Sequence, residues 1–376
     1  MTFYDASTAL IVAAHQPALV LELLRARDAD APQWLQGTGM ESWAARQVAG
    51  AYSGPPGAVP PITPRQYLRL LAHAARALDT PETAFVLGRQ LLPGHYGAAS
   101  HALLRAASLR QAAELLVRHA PRLSPLLVPH WVVEKELAVL YWTSACGLGA
   151  QRGFVVEMQM AAVAAMCRWH SGGALPWTFC FNRTPPRQTE QLEVHLGSAL
   201  RFNCQLDAML IDAAWLDRPW PQGHGTVGTQ VEVQAAVLAG TQRHTEAATQ
   251  ASIAARRAAD QAAEHEALPP SLLAALYALL LAHVRQAPTL EDCSRHFGIS
   301  PATLKRRLAQ EGTHFQAELD QVRSHVALQL MHFRGMDNTA VAAWLGFHDA
   351  ANFRRSFKRW TGSTPSLLRL GLARSV

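Results

Sequence analysis

Two short basic runs in the last third of the sequence share one spacing of side chains. Counted from Ser300 in the first run and from Asp349 in the second, apolar residues occupy the fourth and eighth positions, and lysine or arginine the fifth and sixth. An arginine can make a two-pronged hydrogen bond to guanine, and an alanine can contact the methyl group of thymine. If each run is a helix with its basic face exposed, the two runs could read base pairs in the major groove.

The residues before the first run predict the element that must position it. An apolar helical face ends at Phe297, and Gly298 suits the left-handed position that closes a helix. Ser300 is a good N-cap, and Pro301 suits the first turn of the next helix. A helix, a glycine turn and a second helix with an outward basic face predict a helix-turn-helix. The residues expected to face its core are Leu290, Cys293, Phe297, Leu304 and Leu308.

The second run repeats this design. An apolar face with Val341, Trp344 and Leu345 is closed by Gly346, and Asp349 is the N-cap of the following helix. Between the two copies, a further apolar face predicts one helix of about 17 residues, about 25 Å long. Such a rod could hold two reading helices roughly one DNA turn, or about 34 Å, apart. The face consists of Phe315, Leu319, Val322, Val326 and Leu330.

The net charge is concentrated in the same region. Residues 271–376 hold 13 Lys/Arg and 7 Asp/Glu, which leaves 21 groups of each sign in residues 1–270. One such pattern alone could be an ordinary helical hairpin with solvated arginines. Two copies in register, with the whole excess of +6 beside them, instead favour a polyanion-binding domain joined to a neutral domain.

The region of about 285–370 resembles the AraC/XylS family of transcription regulators. Its most specific part is the second copy, with Leu345–Gly–Phe347, the run from Asn352 to Gly362, and Pro365. The first copy matches the family at Ser300, Pro301, Leu304, Arg306, Gly312, Phe315, Arg323 and Ala327.

The resemblance implies which side chains contact double-stranded DNA. Base readout falls to Ala302, Lys305, Arg306, Ala351, Asn352, Arg354 and Arg355. Phosphate contacts are expected from Ser300, Thr303, Arg307, Lys358 and Arg359. Regulators of this kind usually bind repeated half-sites as homodimers, and RNA polymerase is a further possible partner.

The upstream sequence predicts a separate domain over residues 1–220, followed by a linker at 221–270. Its first part, 1–125, has helical patterns, and its second part, 126–220, has the changed periodicity of an α+β unit. The expected fold is therefore mainly α, with an α+β N-terminal sensor domain and a C-terminal all-α tandem helix-turn-helix domain at 271–376. Helices are expected over Ser7–Arg27 (divided at Pro17), from Pro64 onward, near 98–106, near 108–120, over Gln151–His170 and over Pro186–Leu196. Strands are expected over Leu127–Glu134, Glu136–Thr143, Trp177–Phe181 and Ala199–Leu206.

This upstream domain is similar to the arabinose-binding-type domain of one AraC subgroup, which includes ornithine-utilisation regulators. The matching segments are Leu92–Gly97, Ser108–Ala112, Leu200–Phe202 and Ile211–Pro219. The resemblance implies dimerisation and sensing of a small-molecule effector, without naming that effector. Candidate pocket residues are His95, Tyr96, Trp142 and Trp169, because such sites are mostly apolar and aromatic; the aromatic residues, with Trp177, could equally be core.

Other chemistry finds little support in the sequence. No catalytic or phosphate-binding motif is present, so we expect neither an enzyme nor a cofactor. Cys167 and His170 share a helical face but lack a third ligand, so no metal site is predicted. Five scattered cysteines fit reduced thiols in a cytoplasm. The N-terminus does not fit a signal peptide, and the longest apolar helix candidate, Ser271 to Val284, is too short to span a membrane.

Two alternative functions remain open from the sequence. The chain could be an enzyme or repair protein fused to an AraC-like module, although such repair proteins need a zinc-bound cysteine cluster. It could also be an architectural DNA binder that responds to no ligand, which would leave a neutral domain of about 220 residues without an evident role. The favoured hypothesis is an effector-responsive activator of transcription.

Overall fold

The structure is a computed structural model, and it describes residues 2–28, 32–41, 61–187, 189–221 and 268–366. Most of the expected linker, 221–270, therefore lies outside the described residues, as do residues 42–60. In the described part, the order of elements is helical, then α+β, then helical again. The expected fold class, mainly α with an α+β N-terminal domain and a C-terminal all-α tandem helix-turn-helix, is confirmed.

Short helices form the N-terminal part. The first expectation, a helix beginning at Ser7, is wrong: α1 begins at Gln16, with Pro17 in its first turn. Proline lacks an N–H and fits the start of a helix better than its interior. Before it, Ile11 instead forms a bridge with Ile62. The helices here are α1 (Gln16–Ala26), α2 (Pro64–Leu78), α3 (Thr83–Leu91), α4 (Ala98–Leu104), α5 (Leu109–Arg118) and α6 (Ala120–Leu123), with a 3-10 turn at Pro32–Trp34.

A five-stranded sheet follows, with strands β1 (Leu127–Glu134), β2 (Leu137–Ser144), β3 (Thr178–Cys180), β4 (Leu200–Arg201) and β5 (Ala208–Asp212). Their order in the sheet is β1-β2-β5-β3-β4. The expected hairpin is confirmed, and β2 also pairs antiparallel with β5, a strand that the sequence reading missed. The expected strand over Ala199–Leu206 is mostly wrong, because Asn203 and Gln205 have positive φ angles and break it. The helices of this part are α7 (Arg152–Ser171) and α8 (Glu190–Leu196, shorter than expected).

Both faces of this sheet are covered. Ala138, Leu140 and Trp142 of β2 point into the core of the N-terminal part, which α7 helps to build. Val139 and Tyr141, the residues between them, join a second core that continues into the C-terminal helices. Because successive side chains of a strand point to opposite faces, the sheet lies as a layer between the two cores.

The C-terminal helices have the expected caps. Ser300 and Asp349 accept hydrogen bonds from the backbone nitrogens of Thr303 and Asn352, three residues further on, at 3.1 and 2.6 Å. Gly298 and Gly346 have φ angles of 68° and 77°, a conformation that favours glycine. The helices are α9 (Leu272–Ala282), α10 (Leu290–Phe297), α11 (Pro301–Gln310), α12 (Phe315–Phe333), α13 (Asn338–Trp344) and α14 (Ala350–Thr361).

Helix α9 packs in the second core, on the side of the sheet that faces the C-terminal helices. Its sequence is apolar nearly all round, and such a helix is buried on more than one side. Leu276 and Leu280 pack in the second core with the sheet residues Val139 and Tyr141. The C-terminal helices therefore share their core with one face of the sheet.

Candidate DNA-binding surface and ligand cavity

Helix α11 presents the first predicted reading face to solvent. Leu304 and Leu308 are fully buried and anchor the helix on α10 and α12. Ala302, Lys305 and Arg306 are exposed on the opposite side. In the part of the chain that the structure describes, neither Lys305 nor Arg306 makes a hydrogen bond or an ion pair, so both cations are available to a ligand.

Helix α14 presents the second reading face in the same way. Phe353 and Phe357 are fully buried, while Ala351, Arg354 and Arg355 are exposed. The two aromatic rings lie 5.5 Å apart and fill the space under the helix. The same two positions of the eight-residue pattern thus anchor both helices, as the sequence predicts.

Asn352 and Arg355 are predicted base-reading residues whose side chains are already engaged with other described residues. The side-chain nitrogen of Asn352 donates to Asp349 at 3.1 Å, and its oxygen accepts from Arg355 at 2.5 Å. The backbone N–H of Asn352 is the main reason that the pKa of Asp349 lies below its usual range. Asn352 must break these hydrogen bonds before it can contact a base. Arg354 makes no side-chain hydrogen bond among the described residues and has none to break.

The predicted phosphate contacts differ in their surroundings. Lys358 is exposed, and Arg359 forms an ion pair with Asp320 of α12 at 3.4 Å. Arg307 is half-buried and faces Asp5. Burial opposes ionisation of the Asp5 carboxyl group, but hydrogen bonds from Ser7 and Thr8 and the charge of Arg307 together hold the pKa of Asp5 below its usual value. Ser300 and Thr303 bond to each other at the start of α11, with 2.9 Å between their hydroxyl oxygens.

Helix α12 joins the two reading units. It has 19 residues, two more than the sequence predicts, and is about 28 Å long at about 1.5 Å per residue. Val322, Val326 and Leu330 are buried along it and pack in the core shared by both units. On its surface, Arg323 lies over the ring of Phe347 at 5.9 Å. A continuous helix of this length fixes the separation of α11 and α14.

Three of the four predicted effector residues line one cavity. His95, Tyr96 and Trp169 meet around a volume of about 420 Å³ at the junction of α1, α3 and α7. Tyr96 is buried, stands 5.3 Å from the ring of His15, and its hydroxyl bonds to no described residue. Trp142 is not brought to this cavity: it lies in β2 and packs in the core, as does Trp177.

Sequence patterns predicted neither the other polar residues that line this cavity, among them Arg89 and Gln90, nor the buried Glu311 outside it. Arg89 and Gln90 line the cavity at the end of α3 and bring charge and hydrogen-bonding groups to it. Glu311, at the end of α11, is buried and accepts hydrogen bonds from Ala6 and Gly147 of the N-terminal part. No local pattern marks these residues; only the positive charge of Arg89, beside the Leu92–Gly97 motif, was a usable signal.

The described residues contain neither a cluster of metal ligands nor a membrane-spanning helix. There, no group of three or more His, Cys, Asp or Glu is arranged around one point as metal ligands. His170 stacks on Trp220 with 4.6 Å between ring centroids, and burial lowers its pKa to about 4. Within the same ranges, no helix combines the length and apolar character needed to cross a bilayer.

Comparison with known proteins gives two matching domain families. Residues 58–220 match the arabinose-binding domain found at the N-terminus of AraC transcription regulators, and residues 293–370 match a helix-turn-helix domain. The second match covers both reading helices, and the first covers most of the cavity-lining residues.

The chain is also similar to individual proteins. The chain is 27% identical to the ornithine utilization regulator of Pseudomonas aeruginosa over 79% of its own length and 81% of that protein. It is 42% identical to a helix-turn-helix transcriptional regulator of Mycobacterium tuberculosis over 21% of this chain and 23% of that protein. The crystal structure of the transcriptional regulator CdpR from Pseudomonas aeruginosa aligns with 77% of this chain and 87% of that chain, at 20% identity and a TM-score of 0.34.

The two exposed basic helices, α11 and α14, therefore lie within the region that matches a helix-turn-helix domain, together with α12, which joins them. The domain before them matches the arabinose-binding type. The chain belongs to the AraC family of transcription regulators, and it is a DNA-binding regulator.

Proposed function

We propose that this regulator is an effector-responsive activator that reads two successive major-groove segments with α11 and α14. The observation that carries this proposal is the pair of exposed basic faces, each anchored by two buried apolar residues and joined by one helix. Base readout is assigned to Ala302, Lys305, Arg306, Ala351, Asn352, Arg354 and Arg355, and phosphate contact to Ser300, Thr303, Arg307, Lys358 and Arg359.

The geometry of α12 supports reading on one side of the duplex. Major-groove segments on one face of DNA repeat about every 34 Å, and a rod of about 28 Å can place two helices in neighbouring segments. Lys305 and Arg306 on α11 and Arg354 on α14 then offer cations to guanine edges. These three side chains are exposed, so a DNA duplex could contact them directly.

The proposed effector site is the cavity with His95, Tyr96 and Trp169. Its volume of about 420 Å³ suits a metabolite, and it combines aromatic walls with the polar groups of Arg89 and Gln90. The name of the ornithine-related relative makes ornithine a first compound to test. A compound present at 100 times its Kd should raise the free energy of unfolding by about 2.7 kcal/mol.

The domain boundaries belong to the same proposal. Residues 1–220 would sense the effector and dimerise, 221–270 would link, and 271–376 would bind DNA. We further propose a homodimer on two half-sites, contact with RNA polymerase, a cytoplasmic location and no enzymatic activity. An alkylation-repair function would instead require a zinc-bound cysteine cluster, and among the described residues no three His, Cys, Asp or Glu side chains are grouped as metal ligands.

The test is a footprint of the intact chain on its operator, with and without each compound of a metabolite panel. We expect two protected half-sites and an affinity that changes when a compound binds. Protection of a single half-site would contradict dimeric binding. An affinity that no stabilising compound changes would favour the architectural alternative, and one stoichiometric zinc ion per chain would revive the repair alternative.

A further inference from the structure

Two cysteines lie side by side near the edge strand β4 of the sheet. Cys180 is the last residue of β3 and is buried, whereas Cys204 follows β4 in the chain and is half-buried. The backbone nitrogen of Cys204 donates a hydrogen bond to the carbonyl oxygen of Phe181, the residue after Cys180, at 3.1 Å. The main chain therefore holds the two cysteines close together.

The side chains of the two cysteines meet. Asn203 and Gln205 have φ angles of 57° and 61°, so the chain turns on both sides of Cys204. Its Sγ atom lies 3.6 Å from the carbonyl oxygen of Phe202, and its thiol is hydrogen-bonded to the thiol of Cys180. Both thiols line a cavity of about 360 Å³, through which a small solute can approach them. Thiols in direct contact can be joined without a large movement of the backbone.

The two thiols differ in acidity. The hydrogen bond from Cys180 is the main reason that the pKa of Cys204 lies below its usual value. A hydrogen bond from the backbone of Phe181 and the charge of Arg201 lower it further, while burial and the charge of Asp207 act against them. The same thiol–thiol bond, together with burial, raises the pKa of Cys180. Because the thiolate is the reactive form, Cys204 is the cysteine of the pair that an oxidant attacks first.

We propose that Cys180 and Cys204 are a redox-active pair, reduced at rest, which a hydroperoxide converts into a reversible disulfide. An accessible, acidic thiol beside a second thiol that can resolve its oxidation is the arrangement of redox-sensor cysteines. The other cysteines, Cys146, Cys167 and Cys293, are buried, and burial raises the pKa of each. Each of these three is therefore a poorer nucleophile than Cys204.

The reaction has two steps. The thiolate of Cys204 attacks one oxygen of hydrogen peroxide, the O–O bond breaks, and the leaving hydroxide takes up the proton that the thiol released, which gives water and a sulfenic acid on Cys204. The sulfur of Cys180 then attacks Sγ of Cys204, the S–O bond breaks, and the leaving hydroxide takes the proton of Cys180 as a second water. The two thiols together lose two electrons and two protons, and the peroxide is reduced.

The second step is favoured by the first. The hydrogen bond to the Cys204 thiolate is the main reason that the pKa of Cys180 is raised, and oxidation of Cys204 removes that thiolate. The resulting bond would join β3 to the turn after β4 and close a loop that contains α8. Cys180 also packs in the core that the sheet shares with the C-terminal helices, so oxidation would change the packing on that face.

The pair can be tested on the full chain, without DNA or effector, by exposing the reduced protein to hydrogen peroxide. Free thiols are counted after denaturation, and peptide mapping by mass spectrometry without reduction identifies the bridged cysteines. We expect the count to fall from the five thiols of the sequence to three, with one bridge between Cys180 and Cys204. Dithiothreitol should restore all five.

Three variants separate the roles of the two cysteines, and thermal unfolding establishes that each variant folds. Cys204→Ser should slow the loss of thiols about tenfold or more, because it removes the reactive thiolate. Cys180→Ala should stop the reaction at the sulfenic acid, which dimedone traps on Cys204. Cys293→Ala, the control, should form the same bridge at the wild-type rate. If Cys180→Ala does not fold, the bridge in the wild type and the rate in Cys204→Ser decide.

Three results would overturn the proposal: five thiols remaining after treatment with peroxide, a bridge that involves any other cysteine, or an unchanged rate of thiol loss in Cys204→Ser. The proposal does not rest on the proposed function. DNA affinity of the reduced protein is measured separately, so a failure to bind DNA would contradict the proposed function and leave the thiol pair unaffected.

Discussion

The carboxylate of Glu311 accepts a hydrogen bond from the backbone nitrogen of Gly147, with 2.7 Å between the two atoms. Its other oxygen accepts one from the backbone nitrogen of Ala6 at 2.9 Å. Glu311 is the C-cap of α11, whereas Gly147 lies in the loop between β2 and α7. The backbones approach so closely that a Cβ atom on Gly147 would stand 2.3 Å from the carbonyl oxygen of Glu311. The first reading helix is thus fastened to the N-terminal part at its end.

Glu311→Ala should destabilise the intact chain. It leaves the backbone N–H groups of Ala6 and Gly147 without their acceptor, and a buried unsatisfied group costs about 1–3 kcal/mol. Chemical denaturation of the intact chain measures the loss, with Gln310→Ala, an exposed neighbour, as the control. Gly147→Ala should act through the same contact, so the double variant should lose less than the sum of the two single variants. Fully additive losses would contradict this contact.

The tandem helix-turn-helix could be predicted because its signals are local. An N-cap such as Ser300, a left-handed glycine such as Gly298 and apolar pairs four residues apart each act within one turn of helix. The grouping of His95, Tyr96 and Trp169 was predictable in part, since aromatic residues are frequent in ligand cavities.

The relation between the two cores could not be predicted from local patterns. Glu311 and Gly147 are 164 residues apart in the sequence, and nothing near either one indicates its partner. One signal was present and unused: Leu137–Ser144 is apolar at nearly every position, which is typical of a strand buried on both faces. Strand β5, which pairs with it, was missed because its five residues resemble any short apolar run.

Acid should destabilise the protein through two buried histidines, His130 and His325. Burial lowers the pKa of His130 to about 4, and burial, His130 and Arg152 lower that of His325 to about 3, whereas an unfolded histidine titrates near 6.5. As the pH falls from about 6.5 to 4, the unfolded chain binds protons that the folded chain does not, so the free energy of unfolding decreases. The loss is of order 3 kcal/mol for one such histidine.

His130→Gln provides the comparison. The Nε2 atom of His130 lies 2.8 Å from the hydroxyl of Thr143, and a glutamine amide can reach the same partner without titrating. Denaturation at a series of pH values should show a shallower decline between pH 6.5 and about 4 in the variant than in the wild type. Equal slopes would mean that His130 does not contribute to the acid sensitivity.

The fragment 271–376 should fold alone and bind duplex DNA. Its affinity should fall steeply with salt, because its lysines and arginines displace condensed counterions. We expect it to be less stable than the same helices in the intact chain, since Tyr277 and Leu276 of α9 lose the cover of the sheet. Denaturation followed by the fluorescence of Trp344 and Trp360, together with binding at several salt concentrations, checks both points. Binding that does not depend on salt would contradict the expectation.

Arg306→Ala and Arg359→Ala should affect DNA binding in two different ways. Arg306 is exposed on the outward face of α11, where its guanidinium can bond to guanine, so Arg306→Ala should cost about 1–3 kcal/mol on the best operator and much less on random DNA. Arg359 lies near the end of α14, a position suited to a phosphate contact. Its guanidinium forms an ion pair with Asp320 at 3.4 Å. Arg359→Ala should therefore weaken all sequences similarly and reduce the salt slope by about one. Binding of both variants to operator and random duplexes across a salt series measures these effects. Equal losses on both duplexes for Arg306→Ala would remove Arg306 from base readout, and Lys305 or Arg355 would be tested next.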